Sequence, residues 1–179
     1  MQTISADYRD LNRTLHAERG NAYGGGSYRF ADIVLALRDE TESATVLDYG
    51  CGKGKLKEAL GGPEWMREYD PAIDGKDAAP EKADMVVCTD VLEHIEPEFL
   101  DNVLDDIAKL AERAVFLVIS IQPAEKVLAD GRNAHLSLHD ADWWRRKLSD
   151  KFFISTWSAT KQELQMGGSP IMGLPNTSR

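Results

Sequence analysis

The sequence predicts an α/β fold: a mostly parallel, twisted sheet flanked by helices. Three observations predict it. Strand-like and helix-like segments alternate from residue 45 to residue 121. The run Ala114-Val115-Phe116-Leu117-Val118-Ile119-Ser120-Ile121 is almost continuously apolar, the pattern of a parallel strand buried on both faces. A turn rich in glycine, Gly50-Cys51-Gly52-Lys53-Gly54, directly follows one strand and opens the next helix. A length of 179 residues suits one domain with one sizeable core.

Each element has its own signal. Tyr8, Leu11 and Leu15 recur at helical spacing and predict a short amphipathic N-terminal helix. Residues 19–27 form a glycine-rich break centred on Gly24-Gly25-Gly26. Phe30, Ile33, Val34 and Leu37 form the apolar stripe of a second helix, which ends in the charged run 38–42. Residues 45–49 read as a buried strand and 55–60 as a helix stopped by Gly61-Gly62-Pro63. A weaker strand is predicted over 64–69 and a strong one over 83–88, with Met85-Val86-Val87 at its centre. Phe99, Leu100, Val103, Leu104, Ile107 and Leu110 mark a long amphipathic helix. The strand over 114–121 follows. Asp140 is placed to cap a helix running through Asp142-Trp143-Trp144 to Leu148. Trp143 and Trp144 cannot both face the core from one helix. Residues 152–157 read as a late strand, and the Gly-, Pro- and Ser-rich tail after Met166 is expected to be mobile.

Composition narrows the function. The net charge of −9 disfavours nucleic acid as a partner, because phosphate contacts need clustered Lys and Arg. Lys53, Lys55 and Lys57, and Arg145, Arg146 and Lys147, read as solvated helix faces. No apolar run approaches the roughly 20 residues that span a bilayer. Residues 1–10 are polar and acidic, unlike a signal peptide, so a cytoplasmic protein is expected. Cys51 and Cys88 form no CxxC pair and read as small, reduced, packed residues.

The glycine turn separates three ligands. A phosphate loop needs GxxxxGK[ST]; the residue five before Gly54 is Tyr49, and Leu56 follows Lys55. A dinucleotide turn needs GxGxxG; here Lys55 occupies the third glycine's place. What remains is a turn preceded by an acid, Asp48-Tyr49-Gly50-Cys51-Gly52. A pyrophosphate beside Asp48 would be repelled. S-adenosylmethionine carries an ammonium, a carboxylate and a sulfonium, and no phosphate. Asp48 suits its cationic end, the turn's backbone N–H groups suit its carboxylate, and the glycines permit close approach. About 22 positions after Asp48, Tyr69-Asp70-Pro71 places an acid at the end of the second strand, where it can accept both ribose hydroxyls.

With these residues in view, the chain resembles the class I S-adenosylmethionine-dependent methyltransferases. Residues 46–54 look like their first motif and Asp70 like the ribose-binding acid. The stretch Ala83-Asp84-Met85-Val86-Val87-Cys88-Thr89-Asp90-Val91-Leu92-Glu93-His94-Ile95 looks like the family's fourth strand and following loop. The match covers roughly residues 44–121, with three motifs in order. Asp130-Gly131-Arg132-Asn133-Ala134-His135-Leu136, followed by Trp143-Trp144, is similar to a compact bacterial and phage-encoded subgroup. The resemblance implies a Rossmann-like fold in one domain over 1–179. Residues 1–43 would supply N-terminal helices and a glycine-rich lid, 44–121 the cofactor-binding core, and 122–179 the acceptor side. It implies cofactor contacts from Asp48, Tyr49, Gly50, Cys51 and Gly52, from Asp70 and Pro71, and from Thr89, Asp90 and Val91.

One departure is expected to change the fold. The family places a helix and a third strand between the ribose acid and the fourth strand. Here only residues 71–82 intervene, including Pro71, Gly75 and Pro80. Twelve residues span at most about 40 Å, too little for a crossover helix and another strand. Helix and third strand are therefore expected to shrink to a loop, leaving Asp77 or Ala78 for the adenine contact.

Methyl transfer is an in-line displacement in which the protein mainly positions two reactants. A base is needed only where the acceptor must lose a proton. The catalytic candidates are Asp90 and His94 (with Glu93 beside it) and His135. His135, Ser137 and His139 would share one face if extended. That face suits an acceptor pocket; as a metal site it lacks an evident third ligand, so no metal is expected. Tyr23 and Tyr28, beside the glycine break, suit a lid over the cofactor. The expected function is transfer of a methyl group to O or N of a small or saccharide-like acceptor. The alternatives are a nucleobase or nucleic-acid acceptor, and a protein that binds the cofactor without catalysis. An Asn/Asp/Ser-Pro-Pro-Tyr/Phe motif and a Pro-Cys nucleophile, the usual signs of DNA base methylation, are absent from the sequence.

Overall fold

The computed structural model describes residues 2–18 and 26–171. Its strands are β1 (Val46–Tyr49), β2 (Met66–Tyr69), β3 (Ala83–Thr89), β4 (Ala111–Ser120), β5 (Phe152–Ala159) and β6 (Glu163–Pro170). Its α-helices are α1 (Ala6–Glu18), α2 (Ala31–Glu40), α3 (Lys55–Ala59), α4 (Leu100–Leu110) and α5 (Ala141–Ser149). The strands form one sheet in the order β2-β1-β3-β4-β6-β5. The first four are mutually parallel, whereas β6 runs antiparallel to both β4 and β5. The order reverses at β1 and β3, the position where open α/β sheets leave a crevice beyond the strand ends.

The continuous apolar runs are explained by helices on both faces. Along β3, Val86 and Cys88 join one core and Met85 and Val87 the other; along β4, Leu117 and Ile119 oppose Phe116 and Val118. The first core includes Val103, Leu104 and Ile107 of α4 and Trp144 and Leu148 of α5. The second includes Val34 of α2 and Leu56 of α3. A third, smaller cluster joins α1 to the segment after β4: Tyr8 is buried with Leu128 and Ala134, flanked by Leu11, Leu15 and Leu136.

Residues 71–82 form neither helix nor strand, so β2 is the edge of the sheet, as the short spacing predicts. The C-terminal part departs from expectation. Residues 163–170 are β6, so 167–170, the start of the supposed tail, are hydrogen-bonded between β4 and β5, and the tail beyond 171 lies outside the described residues. The glycines there reflect crowding rather than mobility. A Cβ on Gly168 would run into the Phe153 carbonyl oxygen of the neighbouring strand. Strand β4 also begins earlier than its apolar run, because α4 ends at Leu110 and passes straight into it.

Asp140 caps α5 as expected, its carboxylate accepting from Trp143 N at 2.7 Å. Of the two tryptophans, Trp144 is fully buried, while Trp143 stacks on His139 at 3.5 Å between centroids. Asp140→Ala removes the cap from a nine-residue helix and is expected to cost about 1 kcal/mol in urea unfolding, with Asp140→Asn close to wild type. Equal losses in the two variants would contradict the cap. Among the described residues, no helix is long and apolar enough to cross a membrane.

Candidate active site

A cavity of about 570 Å³ lies beyond the carboxyl ends of β1, β2, β3 and β4, within the range of small-ligand sites. Each strand delivers a polar turn to it: Tyr49, Gly50 and Gly52 after β1; Asp70 and Pro71 after β2; Asp90, Val91, Glu93 and His94 around β3; Ser120 and Gln122 after β4. Thr3, Ile4, Tyr8 and Asn12 close it from the N-terminal side, and Ala134 and His135 from the long segment after β4.

The glycine turn is held by the second-strand acid. Asp70 is buried, its Oδ2 accepting from Gly52 N and its Oδ1 from Ala72 N, both at 2.9 Å. Each oxygen keeps a second lone pair, so the carboxylate can still take ribose hydroxyls. Gly50 has φ +76°, and a Cβ there would lie 2.5 Å from Val91 Cγ2. Only glycine lets this turn pass so close to the β3 loop.

Asp48 stands differently. It is fully buried behind the turn and does not line the cavity. Its Oδ2 has no hydrogen-bond partner among the described residues. Burial above all, then the Glu68 and Asp70 carboxylates, push its pKa up to about 7, against the opposing pull of Lys76. Such a carboxyl favours positive charge brought to the turn. This orphaned oxygen, the glycine backbone and Asp70 fit the ammonium, carboxylate and ribose of S-adenosylmethionine.

The loop after β3 is strained. Asp90 has φ +56°, rare for a residue with a side chain and frequent at functional sites. Its N–H donates to Val118 O at 3.0 Å. Its carboxylate takes Arg29 Nη2 at 3.0 and 3.1 Å, and Arg29 Nη1 reaches Glu163 at 2.7 Å. Burial raises the Asp90 pKa, and Arg29 opposes that rise. Glu93 is buried, one oxygen accepting from Ser120 N at 3.0 Å, and burial raises its pKa to about 8.

His94 and His135 meet edge to face with centroids 4.7 Å apart. Ser137 brings them together: its N–H donates to Glu93 O at 2.9 Å and its hydroxyl to Ile95 O at 2.7 Å. Asn133 shapes the approach, its Oδ1 accepting from Ala124 N and His135 N at 3.0 and 2.9 Å.

The structure thus gathers Tyr49, Gly50, Gly52, Asp70, Pro71, Asp90, Val91, His94 and His135 on one cavity. It leaves Asp48, Cys51 and Thr89 behind the wall, with burial pushing the Cys51 thiol up. Asp77 lines a separate small pocket with Arg9 and Tyr69, so the nearer wall for a base comes from Pro71 and Ala72. His135, Ser137 and His139 do not share a face, because the segment bends: Ser137 is tucked in and His139 stacks on Trp143. Tyr28 is exposed and does not line the cavity; Tyr23 lies outside the described residues. Sequence reasoning predicted α1 but missed its place at the cavity, and it missed Arg29. Arg29 is an isolated cation without a motif. The docking of α1 depends on Glu96, which accepts from Ser5 N and Oγ at 2.9 and 2.6 Å across 91 positions.

Solved structures share this fold. The DhpI complex with S-adenosylhomocysteine superposes with TM-score 0.64 at 14% identity, over 93% of this chain and 98% of that one. The 1,6-didemethyltoxoflavin-N1-methyltransferase of Burkholderia thailandensis gives 0.65 at 15% identity, over 95% and 92%. The magnesium protoporphyrin IX methyltransferase of Synechocystis PCC 6803 gives 0.57 at 18% identity, over 93% and 95%. No curated protein matches the sequence. A family profile described as a methyltransferase domain matches residues 23–163, well over half of the chain. With its Rossmann-like sheet and its cavity at the strand ends, the chain belongs to the methyltransferase-domain family.

Proposed function

We propose that this cavity binds S-adenosylmethionine and that the chain, acting in the cytoplasm, transfers its methyl group to O or N of a small-molecule acceptor. The observation that carries the proposal is the Asp70–Gly52 hydrogen bond, which joins the ribose acid and the glycine turn into one wall. The cofactor supplies an electrophilic methyl carbon already activated by the sulfonium.

The chain's residues hold and orient. Asp70 receives the ribose hydroxyls and Pro71 and Ala72 border the base. The turn at Gly50 and Gly52 takes the amino-acid end, with Asp48 behind it favouring the ammonium. The acceptor lies toward Asp90, His94 and His135. Each imidazole donates Nδ1–H to a backbone carbonyl, so in the neutral ring each Nε2 carries a lone pair able to receive an acceptor proton. The rim carries Asp90, Glu163 and Glu125 beside Arg29 and Lys126, which suits a small polar acceptor better than a polyphosphate strand. The relatives named for toxoflavin and porphyrin chemistry also carry small-molecule acceptors in their names.

The test is methyl-labelled S-adenosylmethionine incubated with small alcohols, phenols, amines and saccharides, and in parallel with oligonucleotides. Label is expected in a small molecule. Label in the oligonucleotides alone, or tight binding of the cofactor with no transfer to any acceptor, would contradict the proposal.

A further inference from the structure

Glu93, His94 and His135 meet on the wall beyond β3 and β4. One ligand-capable atom from each lies within 4.8 Å of the other two. His94 Nδ1 is 2.8 Å from Ala134 O, and His135 Nδ1 is 2.5 Å from Gln122 O. A carbonyl only accepts, so both Nδ1 atoms carry a proton, and in the neutral rings both Nε2 atoms carry the lone pair. Metal-bound imidazoles are held in the same way, the far nitrogen donating to a carbonyl or carboxylate. Glu93 Oε1 accepts from Ser120 N, whereas its buried Oε2 has no hydrogen-bond partner among the described residues. A buried oxygen without a donor is costly unless positive charge is supplied nearby. The Arg29 guanidinium does not supply it, being shared between Asp90 and Glu163.

We propose that Glu93, His94 and His135 bind one divalent transition-metal ion, and that the ion offers an open position to an oxygen of the methyl acceptor. Metal binding stands on the side chains alone; coordination of the acceptor rests on the methyltransferase reading. Two imidazoles and a carboxylate suit Zn²⁺, Co²⁺ or Mn²⁺ rather than Mg²⁺ or Ca²⁺, which prefer oxygen ligands throughout. Three protein ligands leave a position vacant, as in catalytic zinc sites. Ligands at about 2.1 Å from a tetrahedral ion lie about 3.4 Å apart, so the side chains close by up to about 1.4 Å to engage it, a change within reach of side-chain rotation. An acceptor hydroxyl bound to the ion would lose its proton to water, as metal-bound water does near neutral pH, and the two histidines would hold the ion in place of receiving that proton.

The test titrates chelator-treated protein with Co²⁺ and follows its visible d–d absorption. One ion per chain is expected. His135→Ala and Glu93→Gln are expected to weaken binding at least tenfold, with His135→Ala keeping the wild-type circular-dichroism melt. His139→Ala, outside the cavity, is expected to bind like wild type. Adding acetohydroxamate, a bidentate oxygen donor, is expected to shift the bands. No Co²⁺ spectrum with wild type, or equal losses in His139→Ala and His135→Ala, would overturn the site; unshifted bands would overturn the open position. Failure of the methyltransferase reading registers separately, as absence of calorimetric heat with S-adenosylhomocysteine.

Discussion

Asp70→Ala is expected to weaken S-adenosylhomocysteine binding about 100-fold or more, roughly 2.7 kcal/mol, measured by calorimetry. Two losses combine. The ribose loses its acceptor, and Gly52 N and Ala72 N lose the carboxylate that each now meets at 2.9 Å. Charge-assisted hydrogen bonds of this kind contribute about 1.5–3 kcal/mol each. The turn that faces the cofactor's amino-acid end is therefore released together with the ribose contact. Asp70→Asn keeps one acceptor oxygen and is expected to fall between the two. An Asp70→Ala protein that melts like wild type and binds with unchanged affinity would remove Asp70 from both roles.

Asp48→Asn is expected to act in opposite directions on stability and on binding. Burial and the neighbouring carboxylates push the folded carboxyl up to about 7, against 3.8 for an aspartate in water. Between about pH 4 and 7 the folded chain holds a proton that the unfolded chain has lost, so stability falls as pH rises through that window. By pH 7 and above the cost is on the order of 4 kcal/mol, set first by burial and then by the Glu68 and Asp70 carboxylates. Asn carries no such charge. Without cofactor, the variant is expected to melt above wild type near pH 8, with the difference shrinking toward pH 4. Binding of S-adenosylhomocysteine is expected to weaken tenfold or more, about 1.4 kcal/mol, because the ammonium loses the negative charge behind the turn. A melting difference independent of pH, or unchanged binding, would contradict this assignment.

Local chemistry made part of this site legible in sequence. The Asp48-to-Gly54 turn, Asp70 and the β3 loop are contiguous motifs whose strands bring them to one end of the sheet. The short 71–82 stretch was equally plain, because chain length alone forbids another crossover. What stayed hidden depends on distant contacts. β6 carries Gly167-Gly168-Ser169-Pro170, residues that punctuate loops in isolation, yet β4 and β5 pair with it on both sides. The join of His94 to His135 runs through Ser137 and Asn133, across about 40 positions. Periodicity suggested one face for His135 and His139, but the segment bends and Trp143 captures the second ring. Asp48 was legible as an acid beside a cationic ligand, whereas its place behind the wall, with an oxygen unpartnered, required the folded chain.

A crystal structure of the protein with S-adenosylhomocysteine tests the central claim most directly. The ribose hydroxyls are expected on Asp70, the amino-acid end on the Gly50–Gly52 turn, and the sulfur directed toward His94 and His135. Cofactor bound away from Asp70, in the small pocket beside Asp77 or elsewhere on the surface, would contradict it.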